Sequence, residues 1–400
     1  MYNLGLSAGD MQAYTSTLAT SHTIRIRVYS MDLSHNNRVE LQKKLLDGQV
    51  SVNANAIETT RVLTAYFLDP TYTLGWDSTN PTTGAPFMDN MVQVFYGVYV
   101  PNLSRSNKWV DVPIFTGPIV KVERSGAVVS IEAHGKEILA GEVWGTFKIP
   151  NNTNKTVAIR SIMERAGEHK NYMSLKSTTG KMTETSIGYD KTYWSVTRSI
   201  ANSINQHVHY NGAGCLVTRS YPPTTAISFV FNDGTKTTAR QKAVVMDDPD
   251  VTYESENVKN AVRVIGKKKG NKAPPFYTAY PSINSGLHPS RVGRNGKSRF
   301  LVEVIQDDRC TSTASCKSRA QTVLASRMQM AVAVKFDSLP VPHLEPYDWV
   351  LINTSRMSHI FRMDEFTIPL SASGTMSIGY VKKVTVNTAK PKKRSSTKKK

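Results

Sequence analysis

The chain has 400 residues, 40% of them apolar and 8% aromatic, which allows about two to four domains with true cores and excludes a disordered chain. Its net charge of +19 is uneven, because Lys382–Lys400 holds nine Lys or Arg and no acid, leaving +10 for the rest. Three cysteines without CxxC spacing exclude a disulfide framework, and no apolar run is long enough for a membrane-spanning helix.

Met1–Leu6 lacks the basic region and apolar run of a secretory signal, so a soluble protein made in a cytoplasm is expected. Residues 1–21 are small and polar and read as a mobile arm or an assembly contact. Ile24, Ile26 and Val28 alternate with Arg25 and Arg27, a strand with one wet or partner-facing side. Strands continue at Val50–Ala54 and Arg61–Leu68. A turn-rich excursion, Thr71–Asn90, is long enough to be an interaction element. Strands resume at Met91–Val100, Val110–Phe115, Ile119–Val122 and Ala127–Ala133, with Gly117-Pro118 and Ser125-Gly126 as turns. Residues 22–150 therefore form a first β-barrel-like domain.

The period then changes. Val157, Ile159, Ile162 and Met163 lie at helical spacing with Gly167 as a stop, and Tyr193–Ile204 is a second helix. Val208 and Tyr210, then Asn211-Gly212, then Cys215–Thr218 predict a hairpin with a two-residue turn. With Ile227–Phe231 these make an α+β insert over 151–249, closed by the acidic link Asp247-Asp248-Pro249-Asp250. Strand returns at Val258–Ile265, followed by a long basic loop, 266–298. Phe300–Ile305 is a strand, and Thr311 or Ser312 caps a helix to about Met330. Ala331–Phe336, Trp349–Asn353, His359–Phe366 and Thr375–Lys383 are strands, so 250–383 is a second β-barrel-like domain. Residues 384–400 are a disordered basic tail. The fold class is mainly β with an α+β insert.

No catalytic set is evident, and neither a metal nor a cofactor is called for. His207-x-His209 has metal-type spacing but no third ligand nearby, and reads as structural. His343, Glu345 and Asp348, between Pro342 and Pro346, read as a turn rather than a hydrolytic pair. Asp247, Asp248 and Asp250 lack the glycine and distal glutamate of a calcium loop. Gly266-Lys267-Lys268-Lys269-Gly270 lacks the spacing of a phosphate loop, and Cys310 has no local activating partner. What remains is electrostatic. Lys267, Lys268, Lys269 and Lys272, with Lys390, Lys392, Lys393, Arg394, Lys398, Lys399 and Lys400, suit contact with DNA or an acidic partner. A tail that only solubilises stands beside that reading.

A run of segments resembles the front half of bacteriophage tail hub (baseplate hub, minor tail) proteins of long-tailed phages. It consists of Phe95–Val100, Trp109–Gly117 closing on Phe-Thr-Gly, Gly126–Ala133 and Ala158–Gly167. Glu254–Gly266 is similar to the strand that reopens the hub barrel, and Arg319–Ile352 to a later hub segment, with Tyr347-Asp348 where Gly-Asp is usual. The resemblance implies two tube domains and a homotrimeric ring, part of the virion tail tip. It implies contacts with the distal tail or tube protein, tip or fibre proteins and the tape measure, and a channel for DNA in transit. It implies no enzyme. A basic nucleic-acid-binding protein acting through the C-terminal tail is the alternative, and a hydrolase using His343 is a third reading.

Overall fold

The computed structural model describes residues 1–19, 23–41, 44–71, 90–220, 226–235, 244–268, 273–293, 295–307 and 310–385. Most of the Thr71–Asn90 excursion and all of the predicted basic tail beyond 385 lie outside those residues. Two compact units are formed, Met1–Pro249 with Lys335–Tyr380, and Asp250–Val334 with Val381–Lys400.

The first unit opens with α1 (Ala8–Leu18), capped by Ser7, whose hydroxyl accepts from the Asp10 amide at 3.1 Å. Asp10 accepts in turn from the Ser104 amide and hydroxyl, both at 2.7 Å. Tyr14 and Leu18, one turn apart on the same face, are fully buried. The expected mobile arm is therefore a docked helix; its polar composition masked two apolar anchors.

The strands that follow are β1 (Ile24–Asp32), β2 (Val39–Glu40), β3 (Lys44–Asn53), β4 (Arg61–Leu68), β5 (Asn90–Tyr99), β6 (Trp109–Ser125) and β7 (Val128–His134). They neighbour one another antiparallel in the order β3-β4-β7-β6-β5-β1-β2. Alternate residues fill the core: Val50 and Val52 on β3, Leu63, Ala65 and Phe67 on β4, Val129 and Ile131 on β7. Gly117-Pro118, expected as a turn, lies inside β6. At that point β6 leaves β5, with which Pro118 is the last pair, and takes up β7 from Ile119. Proline is tolerated where the ladder changes partner. Glycine is needed there because a Cβ on Gly117 would run into the His134 carbonyl.

β8 (Phe147–Ile149) leads into the α+β insert, which contains α2 (Lys155–Arg165), β9 (Met173–Ser174), β10 (Thr185–Ile187), α3 (Tyr193–Asn202), β11 (Gln206–Tyr210), β12 (Leu216–Ser220) and β13 (Phe229–Asn232). Asn154 caps α2, and Gly167, at φ +93°, follows its end as predicted. Thr192 and Ser195 form a capping box on α3. Ile159, Ile162, Trp194, Ile200, Val208 and Leu216 share one core. The β11–β12 turn is not the expected two-residue one. It spans 211–215, closed by the Asn211 amide on the Cys215 carbonyl at 3.0 Å, with Gly214 taking the positive φ.

The second unit holds β14 (Asp250–Glu254), β15 (Ala261–Gly266), β16 (Phe276–Ala279), β17 (Val302–Asp307) and α4 (Thr313–Arg327). The predicted loop 266–298 thus contains a strand, which pairs antiparallel with β15 while β17 pairs parallel on the other side. One face of this sheet packs on α4 through Val262, Val264, Cys316, Ala320 and Leu324.

β18 (Gln329–Ser338) carries the chain back to the first unit, which adds β19 (Trp349–Asn353), β20 (Ser358–Arg362), β21 (Glu365–Pro369) and, as far as Tyr380, β22 (Met376–Thr385). The strand expected over His359–Phe366 is two strands, β20 and β21. β21 lies between β3 and β22, antiparallel to both, and β19 pairs parallel with β13. The segment 250–383 is divided between the units, because residues 335–380 join the sheet begun by β3 in the first. The chain is mainly β with an α+β insert, as its sequence predicts.

Candidate functional site

β4 begins at Arg61, whose side chain is only 2% exposed. A guanidinium there must be fully partnered. Nη1 donates to the Ile114 carbonyl at 2.8 Å, Nε to the Tyr210 carbonyl at 3.4 Å and Nη2 to Glu345 Oε2 at 2.5 Å. Ile114 offers its carbonyl because the β5–β6 register slips at Val94/Phe95 and leaves Ile114 unmatched. The other Glu345 oxygen accepts from the Gly212 amide at 3.2 Å. A Cβ on Gly212 would meet the Pro113 carbonyl, so only glycine brings that amide close enough. Burial would raise the Glu345 carboxyl, but the Arg61 charge, with His209 beside it, wins and holds it at about 2. One buried ion pair thus joins β4, β6, the β11–β12 turn and the returning segment 335–380.

Asp348 extends the network. Its carboxylate accepts from Arg219 Nη1 at 2.7 Å and from the Glu345 amide at 2.8 Å, and pairs with the Met1 amine. His343 is completely buried, set edge-on against Tyr14 and Phe229 at 5.2 and 6.0 Å. Neither of its ring nitrogens hydrogen-bonds a carboxylate, so the three residues form no hydrolytic pair. His207 stacks on Tyr347 at 3.8 Å, and His209 is buried with Nε2 3.7 Å from Glu345. Among the described residues no group of three His, Cys, Asp or Glu is placed to hold a metal ion. These side chains bind segments of the chain to one another.

Of the predicted electrostatic residues, Lys267 and Lys268 are exposed just past β15. Lys269, Lys272, Lys390, Lys392, Lys393, Arg394, Lys398, Lys399 and Lys400 lie outside the described residues.

Two exposed apolar surfaces went unnoticed in the sequence. In the first unit Trp144 is 91% exposed and lies edge-on to exposed Tyr189, with Ile57 also in solvent. Tyr189 and Ile57 border a groove of about 960 Å³ that Glu58, Glu142 and Asp190 also line. In the second unit α4 covers one sheet face only. The opposite face presents Val302, Val304 and Phe276, with Tyr280 and Phe300 beside them, each about half exposed. Arg263 lies over the Phe276 ring at 4.4 Å. Apolar groups of this size clustered in solvent mark interaction surfaces. Alternation in β17 was the available signal: Val302 and Val304 face away from α4, where polar residues would be expected.

No protein-family model matches the chain, and no curated protein matches its sequence. Solved structures do match. The 43 kDa tail protein of prophage MuSo2 from Shewanella oneidensis is similar at TM-score 0.53 and 10% identity, over 89% of this chain and 98% of that one. A tail protein from Neisseria meningitidis MC58 is similar at TM-score 0.52 and 11% identity, over 90% and 96%. A chain of a PdpA-VgrG complex reaches TM-score 0.51 at 9% identity, over 94% of this chain and 67% of its own. With alignment running almost end to end on the first two, this chain has the fold of phage tail proteins.

Proposed function

We propose that this chain is a structural virion protein of the tail tip. In this reading it forms a hub ring that joins the tail tube to the tip or fibre apparatus and leaves a channel for DNA. The observation that carries the reading is the coincidence of the tail-protein fold with the uncovered apolar face of β16, β15 and β17. A chain that works alone has no reason to leave Phe276, Val302 and Val304 in solvent. The likeness to a chain of a PdpA-VgrG complex supports work within an assembly. The engaged state of Glu345 and Asp348, both committed to holding the fold together, supports a non-enzymatic role. In a closed ring of identical chains one heterologous interface is repeated, so this face would meet a different patch of the next copy, and three copies are expected.

The test is the mass of the purified chain by light scattering at low and high salt, with and without residues 384–400. A discrete three-chain particle that survives loss of the tail is expected. A monomer at every concentration up to the solubility limit would overturn the ring. A monomer that binds DNA only when 384–400 are present would favour the nucleic-acid reading instead.

A further inference from the structure

The insert contains a hollow of about 490 Å³ walled by the start of α2, the stretch from Lys181 to Ile187 and one side of α3. Lys155, Lys181 and Lys191 line it, and no carboxylate does. None of the three makes an ion pair among the described residues, whereas nearby Lys148 is paired with Glu184 at 3.5 Å. Lys155 Nζ is held in the wall by Ser203 Oγ at 2.8 Å. Ser199 adds a hydroxyl along the α3 side, whereas the Ser195 and Ser203 hydroxyls that also line it already donate to the Thr192 and Ile200 carbonyls at 2.9 and 2.6 Å. The amino end of α3 contributes little, since its capping box already occupies it. Side chains supply the positive field.

The base of the hollow is of a different kind. Met182, Ile187, Val196 and Ile200 line it and are buried members of the insert core. All four are aliphatic, and no aromatic ring lines the hollow. A nucleobase would find nothing to stack on, whereas an alkyl segment would be taken out of water. Ammonium and hydroxyl donors suit the oxygens of a phosphate.

We propose that this hollow binds a phosphate-headed amphiphile, its phosphate among Lys155, Lys181 and Lys191 and its first methylenes on the aliphatic base. The same chemistry is offered by a free amphiphile and by a phospholipid in a bilayer. The inference is independent of the tail-tip reading.

The experiment uses the full chain and calorimetric titration with dioctanoyl phosphatidic acid, glycerol 1-phosphate and octyl glucoside. The first should bind at one site per chain, and the other two, lacking the tail or the charge, at least tenfold more weakly. The variant K155A/K181A/K191A should lose at least tenfold, with K267A/K268A unchanged. Lys181 and Lys191 are exposed, so K181E/K191E repeats the test without risk to the fold. Sedimentation with phosphatidylglycerol vesicles then separates the sources: co-pelleting lost in the variant assigns a bilayer lipid, and soluble binding without co-pelleting assigns a free amphiphile. Binding by the triple variant equal to that of the parent would overturn the proposal. So would octyl glucoside binding as tightly as the phosphatidic acid.

Discussion

At the scale of single residues, the first unit depends on charges removed from water. Arg61 and Glu345 compensate each other, with two backbone carbonyls on Arg61 and the Gly212 amide on Glu345, so removing one leaves the other stranded. Arg61→Ala is expected to cost about 3–5 kcal/mol, read as a lower urea midpoint with the m-value unchanged. An Arg61→Met/Glu345→Leu double variant should recover much of that loss. If the double were as unstable as the single, packing rather than charge would be the cause. His343 makes a separate contribution. Burial, together with the nearby amine of Met1, outweighs the opposing Asp348 charge and lowers it to about 3. Unfolded it would titrate near its ordinary value of about 6.5. Between those values the unfolded chain holds the extra proton, so stability falls as the pH drops through that window. Glu345 acts lower: its contribution is complete above about pH 4.5 and is lost as the pH falls toward 2. Urea midpoints should therefore decline steadily from about pH 7 to pH 5, and His343→Leu should make that slope shallower without removing it, since burial also lowers His35, His207 and His209. An identical slope in the variant would remove His343 as its cause.

At the scale of elements, periodicity in the sequence located most of the structure. β4 and β19 coincide with the predicted Arg61–Leu68 and Trp349–Asn353, because their alternating apolar residues face one core and register leaves no other choice. The misses share a cause, since each depends on a partner distant in the chain. Gly117-Pro118 looks like a turn until β7 is seen taking over from β5. The Asn211-Gly212 turn widens because Gly212 is held against Pro113 and Glu345. α1 went unread because Tyr14 and Leu18 are only two apolar anchors, too few for a stripe, and what they pack against cannot be known locally. Leu18 is fully buried, so Leu18→Ala should cost about 2–5 kcal/mol. Ser7→Ala, which removes the cap and the hydroxyl's bond to the Asp10 carboxylate, should cost about 1 kcal/mol. Equal and small effects from both would mean that α1 is only loosely docked in solution. The Arg61–Glu345 pair was the least legible feature of all, because nothing in a sequence joins residues 284 positions apart.

At the scale of the whole chain, charge drew attention away from apolar surface. The net +19 falls mainly in two places: residues 382–400 carry nine Lys or Arg and no acid, and residues 250–334 combine fourteen Lys or Arg against six Asp or Glu with an open apolar sheet face. These two properties oppose each other in association. The positive charge of like copies resists approach and weakens with salt, whereas removal of Val302, Val304 and Phe276 from water favours it at any salt. If the apolar face drives assembly, self-association should strengthen as salt rises; contacts made chiefly by unlike charges should weaken. Val302→Lys with Val304→Lys adds charge on the exposed side of β17, away from the α4 core, and should change the unfolding free energy by no more than about 0.5 kcal/mol per site. The same pair should abolish the multi-chain particle at every salt concentration. A particle that persists in the double variant would move the interface elsewhere, and the surface bearing Trp144 and Tyr189, with its neighbouring acids Glu142 and Asp190, would be the next to test.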